Sequence, residues 1–198
     1  MSPQQFLYKV LTAIGIRKEK YYLFQNKMTE EVHQLNPLAD GFEAIEITAD
    51  NVGDFDFSLF KNKYERLVSR LFIPSYRLFV VEKGKKVCYY TWISLDDFIF
   101  PRYVKQSRKL NADDAFLFDS ACAEEYKGRG FHSYMNIYRL QKIFENGKNN
   151  ALVLVLADNT PAIKVQYKSG MKIIKIMKTF HCNWLGIDKV TFTDYEDK

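Results

Sequence analysis

The sequence predicts an α/β (α+β) fold in which a mixed central sheet of about seven strands is flanked by helices, with a helical extension at the N-terminus. Three observations carry this. Strand-type and helix-type periodicities alternate from residue 42 to the end of the 198-residue chain. The run Ala151 to Ala157, reading ALVLVLA, is apolar without a break, as in a strand covered on both faces. No repeat or linker divides the chain, and its length suits one core.

Phe6, Leu7, Val10, Leu11 and Ile14 recur at helical spacing and predict a short amphipathic helix, and Tyr21 to Phe24 a short strand. Thr29 to Gly41, with Pro37 and a terminal Asp-Gly, reads as a loop. Residues 1–41 are therefore expected to be an extension packed on a domain spanning 42–198. Alternation over Phe42 to Ile47 predicts the first strand of that domain, with Thr48 capping the turn after it. Apolar spacing from Ser58 to Phe72 predicts a helix that stops near Pro74. Two strands follow, Arg77 to Glu82 and Val87 to Leu95, joined as a hairpin across Lys83-Gly84-Lys85-Lys86. Residues 101–114 are charged and aperiodic and read as an exposed connection to a strand at Ala115 to Ala123. A helix is predicted over Phe131 to Glu145, closed by Asn146-Gly147. After the apolar strand, Thr160 and Pro161 supply a cap and a first-turn proline for a helix through Lys168, closed by Gly170. Strands near Lys172 to Phe180 and Val190 to Thr193 complete the order.

With 47% hydrophobic and 27% charged residues, 9 Gly and 5 Pro, the composition gives no support to a disordered, collagen-like or coiled-coil chain. The net charge of +5 suits a phosphate-bearing ligand as readily as a nucleic acid, but the basic residues are spread along the chain, so no nucleic-acid partner is expected. Cys88, Cys122 and Cys182 cannot all pair and show no Cys-x-x-Cys spacing, which makes a reducing, cytoplasmic setting the default. The apolar opening residues lack a basic lead and a small-residue cleavage site, so neither an export signal nor a membrane span is expected. His33, His132 and His181 have no ligand-type spacing, and no metal site is expected.

The sharpest local signal is Glu125-Tyr126-Lys127-Gly128-Arg129-Gly130-Phe131-His132-Ser133, between a predicted strand and a predicted helix. The first amides of a helix have no partner within it, and its dipole favours an anion there. Gly128 and Gly130 let the backbone turn sharply, and Lys127 and Arg129 add charge, so the segment suits a diphosphate. About thirty residues later comes a second segment, Asn159-Thr160-Pro161-Ala162 through Tyr167 to Gly170-Met171.

Together the two segments resemble the GNAT superfamily of acyl-CoA N-acyltransferases, with its Q/R-x-x-G-x-G/A turn followed by an N-x-x-A...Y...G-F stretch. The resemblance is close over Ala115 to Phe180, and the element order extends it back to Phe42. It implies a mostly antiparallel sheet and acetyl-CoA as cosubstrate. Lys127 stands at the family's Gln or Arg, Gly130 at its Gly and His132 at its Gly or Ala, so the amides from Gly128 through Arg129, Gly130, Phe131 and His132 to Ser133 would face the pyrophosphate. His132 departs from the pattern: its ring could crowd the phosphates or donate to one. Ser120, Ala121 and Cys122 match the strand whose backbone pairs with the pantetheine arm, a role that needs no reactive thiol, and Asn159 matches a partner of the pantetheine amides.

Acyl transfer to an amine needs the amine neutral, although a free alkylammonium titrates at about 10.4. Asp119, flanked by apolar residues on the motif strand, is the preferred base over Asp96 and Asp97. The place of the family's Tyr acid falls on Gln166, one residue before Tyr167, and one helical residue is a turn of about 100°. Tyr167 acts as the acid only if the helix is locally irregular. A thiol with a pKa of about 8.5 leaves tolerably without an acid. The resemblance thus implies transfer of an acetyl group to a small-molecule primary amine by direct attack. A protein or peptide amine is the alternative acceptor, and a CoA-binding module with little turnover the alternative function. A monomer or homodimer is expected, without a membrane partner.

Overall fold

The computed structural model describes residues 15–27, 35 and 37–196. The helix expected over Phe6 to Ile14 lies outside them. Among the described residues ten strands and three α-helices follow one another: β1 Ile16–Lys27, β2 Glu43–Ile47, α1 Tyr64–Leu71, β3 Tyr76–Lys83, β4 Lys86–Ser94, β5 Asp97–Phe98, β6 Arg108–Lys109, β7 Asp114–Cys122, α2 Phe131–Glu145, β8 Asn150–Leu156, α3 Thr160–Lys168, β9 Lys172–Cys182 and β10 Ile187–Asp194. Eight strands form one sheet in the order β10-β9-β1-β8-β7-β4-β3-β2, and β5 pairs with β6 alone. The neighbours β7 and β8 are parallel, whereas the other pairings of the sheet are antiparallel.

The sheet is one strand larger than the sequence predicts. β1 is twelve residues long, not the four of Tyr21 to Phe24, and it pairs with β8 on one side and β9 on the other. Residues 16–27 are therefore part of the sheet itself. The long helix expected over Ser58 to Phe72 is also shorter. Ser58–Lys63 forms 3-10 turns in which Phe60 leaves helical geometry, and only Tyr64–Leu71 is α-helical. The bonds from Ser58 to the Asp56 carboxylate hold a turn there that an α-helix does not accommodate. The hairpin between β3 and β4 turns on Gly84 and Lys85, both at positive φ, as a two-residue loop requires.

Two apolar cores lie on opposite faces of the sheet. On one, α2 brings Phe131, Met135, Leu140 and Ile143 against Leu117, Val153 and Val155, and α3 adds Ala162 and Ile163 at its margin. On the other, α1 and the 3-10 turns set Phe57, Phe60 and Leu67 against Trp92, Phe116 and Phe118. Strand β4 feeds both, and from Val87 to Ser94 it is buried throughout. Among the described residues no helix is long and apolar enough to cross a membrane.

Candidate active site

Strands β7 and β8 run side by side only from Asp114–Leu117 against Asn150–Val153, and then part. The cause sits in β7. Opposite Tyr90 and Trp92 of β4 the register slips by one residue, and Asp119 takes a left-handed backbone with φ 44°. Such a bulge bends the strand that carries it and re-aims its side chains. An aspartate tolerates the left-handed region better than most residues. The hydroxyls of Ser120 and Thr91, 2.6 Å apart, tie the bulge to β4.

The parted strands leave a cleft of about 430 Å³. Phe116, Leu117 and Val153 line its apolar part, while His132, Asn159, Ala162 and Gln166 line it from the α2 and α3 side. Arg70, Ile99, Phe100 and Arg102 line the other side, together with Asp119. Ser120 lines it as well, and Ala121 and Cys122 continue β7 past the cleft, paired with Tyr90 and Tyr89 of β4. Burial pushes the Cys122 thiol up from its usual range, which suits a residue whose backbone rather than its sulfur is used.

The turn into α2 carries the expected glycines. A short 3-10 turn, Glu124–Tyr126, leads to Gly128 and Gly130 at φ 80° and 79°, and Gly130 caps the helix in a left-handed conformation. A Cβ built on either glycine would meet nothing within 4 Å, so the space in front of the turn is open. The first helical bond is Tyr134 N–H to the Gly130 carbonyl, and among the described residues no backbone acceptor takes the amides from Gly128 to Ser133. An exposed concavity of unpaired donors at a helix N-terminus fits a diphosphate. The basic side chains are docked elsewhere. Lys127 Nζ donates to Glu124 at 2.6 Å, and the Arg129 guanidinium lies 5.7 Å from the ring centres of both Phe42 and Tyr126.

His132 turns inward. Its Nδ1 lies 2.7 Å from the Tyr89 hydroxyl on β4, so the ring does not stand over the open amides. Burial, with the nearby Arg139 guanidinium, pulls its pKa down to about 4, and the imidazole is neutral at physiological pH. This has a stability consequence. The unfolded chain takes up a proton near pH 6.5 and the folded chain only near 4, so stability holds above about 6.5 and drops as pH falls toward 4, by about 3 kcal/mol. Urea titrations at pH 7 and pH 4.5 should show that fall, and His132→Gln should flatten it. An unchanged slope in the variant would place the effect elsewhere.

The two catalytic expectations change. Asp119 reaches the cleft, but its carboxylate accepts hydrogen bonds from Arg70 and from the Tyr90 hydroxyl at 3.3 Å, and pairs with Arg66 at 3.3 Å. Its oxygens thus anchor two guanidiniums and a hydroxyl. Tyr167 does not line the cleft. Its ring is 51% exposed and meets Phe24 edge-on at 5.3 Å, because α3 is regular and turns the next residue away. Gln166 faces inward instead and accepts from Asn136 Nδ2 at 3.0 Å. Asn159, not Thr160, caps α3: its Oδ1 accepts from the Ala162 amide at 3.2 Å.

Sequence reasoning passed over three arginines here. Arg139 is fully buried on α2 and lines the cleft, donating to the Met135 and Trp92 carbonyls and to Asn136 Oδ1 at 2.9 Å. Its signal was a charged residue on a helix face shared with Met135, Leu140 and Ile143. Arg70 and Arg102 carried no such mark, because they reach the cleft from segments far apart in the chain.

No family model matches the chain. A stretch of 66 residues, 33% of the chain, is 35% identical to a mycothiol acetyltransferase of Corynebacterium aurimucosum and covers 20% of that protein. Among solved structures, a GNAT-family protein from Novosphingobium aromaticivorans superposes with a TM-score of 0.57 at 13% identity, over 84% of this chain and 65% of that one. An aminoglycoside acetyltransferase from a soil metagenome, solved with trehalose, superposes with a TM-score of 0.50 at 13% identity, over 81% of this chain and 99% of that one. The chain thus spans less than two thirds of the first of these structures, and the matched stretch a fifth of the mycothiol acetyltransferase. Parallel strands that part beside an open glycine turn, in a sheet that superposes on these structures, give the chain the fold of the GNAT superfamily.

Proposed function

We propose that this protein transfers an acetyl group from acetyl-CoA to the primary amine of a small molecule. One observation carries the reading: the amides of residues 128–133 have no backbone acceptor among the described residues, and His132 of that turn also lines the cleft that β7 and β8 open. The amides from Gly128 to Ser133 hold the diphosphate, with Lys127 and Arg129 free to swing from Glu124 and from the Phe42 and Tyr126 rings. The open edge of β7 at Ser120, Ala121 and Cys122 receives the pantetheine arm, and Asn159, whose Oδ1 is committed to its helix, has its Nδ2 left to donate. When bound, acetyl-CoA supplies the thioester: a C–N bond to the amine forms, the C–S bond breaks, and the thiol leaves with the proton the amine loses.

The chain's own residues keep that exchange dry and oriented. Phe116, Leu117 and Val153 exclude water from the narrow end of the cleft. Asp119, with both oxygens engaged, acts as a positioning residue that holds Arg66 and Arg70 at the acceptor side. The cleft's limited volume and the aminoglycoside acetyltransferase among the similar folds favour a small acceptor over a protein. The free cysteines suit a cytoplasmic setting, which is part of the proposal.

The position of Tyr167 outside the cleft favours one other reading, a CoA-binding module without turnover. Calorimetry with CoA and a thiol-release assay with acetyl-CoA and an amine panel separate the two. The proposal expects heat with CoA and amine-dependent release. Heat without such release would make the protein a binder, and no heat would remove both readings.

A further inference from the structure

The acceptor side of the cleft carries an excess of fixed positive charge. Arg70 and Arg102 line it, Arg66 joins Arg70 on Asp119, and that single carboxylate faces the group. Arg66 Nε is buried with no hydrogen-bond partner, so the cluster lacks acceptors as well as negative charge. Arg70 is held in place from behind, its guanidinium 5.3 Å from the Phe118 ring centre and 5.9 Å from that of Trp92. Arg102 is exposed at the mouth and makes no ion pair among the described residues. Across the cleft, Arg139 is buried and bonded only to neutral oxygens among the described residues.

Carboxylates nearby do not offset this. Tyr21 lines the cleft and its hydroxyl donates to Glu19, which also accepts from Tyr103 at 2.7 Å, but Glu19 itself is not among the residues that line the cleft. Asp97 is paired with Lys109 at 2.7 Å. A polycationic acceptor entering here would meet like charge at each step, a repulsion that low-dielectric walls strengthen.

We infer that the acceptor amine also carries a carboxylate, which the Arg70 and Arg102 guanidiniums take, as in an amino acid or a short peptide with a free C-terminus. The inference rests on the acetyltransferase reading above. It accounts for two features at once. A planar guanidinium is the group that binds a carboxylate in two-point fashion, and Arg70 already binds one in Asp119. The same positive charge disfavours an ammonium held beside it, so the amine gives up its proton to solvent more readily, and the site needs no unengaged base.

The test uses the full chain loaded with CoA. Calorimetry compares amino acids with their carboxamides, with amines of the same length lacking the acid group, and with phosphoethanolamine and an aminoglycoside. The carboxylated amines should bind at least about tenfold more tightly than their carboxamides. Arg70→Gln and Arg102→Gln should each erase most of that preference, with CoA binding retained. In the thiol-release assay the same variants should raise the acceptor KM about tenfold or more and move the rise of kcat with pH to higher pH, because less positive charge then opposes the ammonium. Equal binding of carboxamides, preference for the aminoglycoside, or preference for phosphoethanolamine overturns the inference. So does a preference that survives both variants. In each of these cases intact CoA binding leaves the acetyltransferase reading standing, whereas absence of heat with CoA itself strikes that reading first.

Discussion

Replacing Gly130 by valine should weaken CoA binding severely while leaving the protein folded. Gly130 caps α2 at φ 79°, a region in which a β-branched residue costs about 1–2 kcal/mol. Valine has open space around its side chain, so the strain falls on the backbone and not on packing. The chain relieves it by turning the peptide groups of the 128–131 turn, and the amides then no longer converge. We expect affinity for CoA to fall on the order of a hundredfold, about 2.7 kcal/mol, with the melting temperature of the ligand-free protein lower by only a few degrees. The stabilisation that CoA confers on the wild-type protein should vanish with it. Lys127→Ala serves as the contrast. Its ammonium is engaged by Glu124 in an exposed position, so its loss should cost no more than a few-fold. Undiminished CoA binding in Gly130→Val would mean that the phosphates sit elsewhere.

The largest effect on stability is expected at Arg139. Its guanidinium is fully buried, burial pulls its pKa down to about 10, and it holds Asn136, which in turn holds Gln166 and Ser169 at 3.0 and 2.6 Å. Alanine there leaves a cavity and an unpaired amide oxygen in the core under α2 and α3. We expect a loss of about 3–5 kcal/mol in urea unfolding, or a melting temperature lower by roughly 10 °C. Methionine keeps the volume and removes a costly buried charge, so Arg139→Met should lose clearly less than alanine. If both variants lost under about 1 kcal/mol, the guanidinium would not be what ties α2 to α3. Retention of such a residue at that desolvation cost fits a role at the cleft it lines.

Much of this was readable from local chemistry. The helix over Phe131 to Glu145 appears with the expected bounds, because its glycine entry and its Asn-Gly exit are both encoded within a few residues. The apolar strand at β8 lies inside the sheet as its composition requires. β1 was legible only in its aromatic half. Its first half, Ile16 to Lys20, has no apolar alternation to mark a strand, yet the cations of Arg17, Lys18 and Lys20 lie over the rings of Tyr103, Phe180 and Tyr22. Those rings come from other segments or from farther along the strand, and a cation that can lie across a ring does not forbid a strand.

The glycine turn, the alternating elements and the inward place of Gln166 follow from rules that act over one to four residues, which is why a bare sequence contains them. Which strands stand side by side, where β7 leaves β8, and that Asp119 spends its charge on Arg66 and Arg70 depend on partners 49 to 53 residues away. The sign of the cleft belongs to this second kind. Arg70, Arg102 and Arg139 are scattered in the chain and meet only when the sheet parts, and electrostatic energy depends on distance in space, not on separation along the backbone.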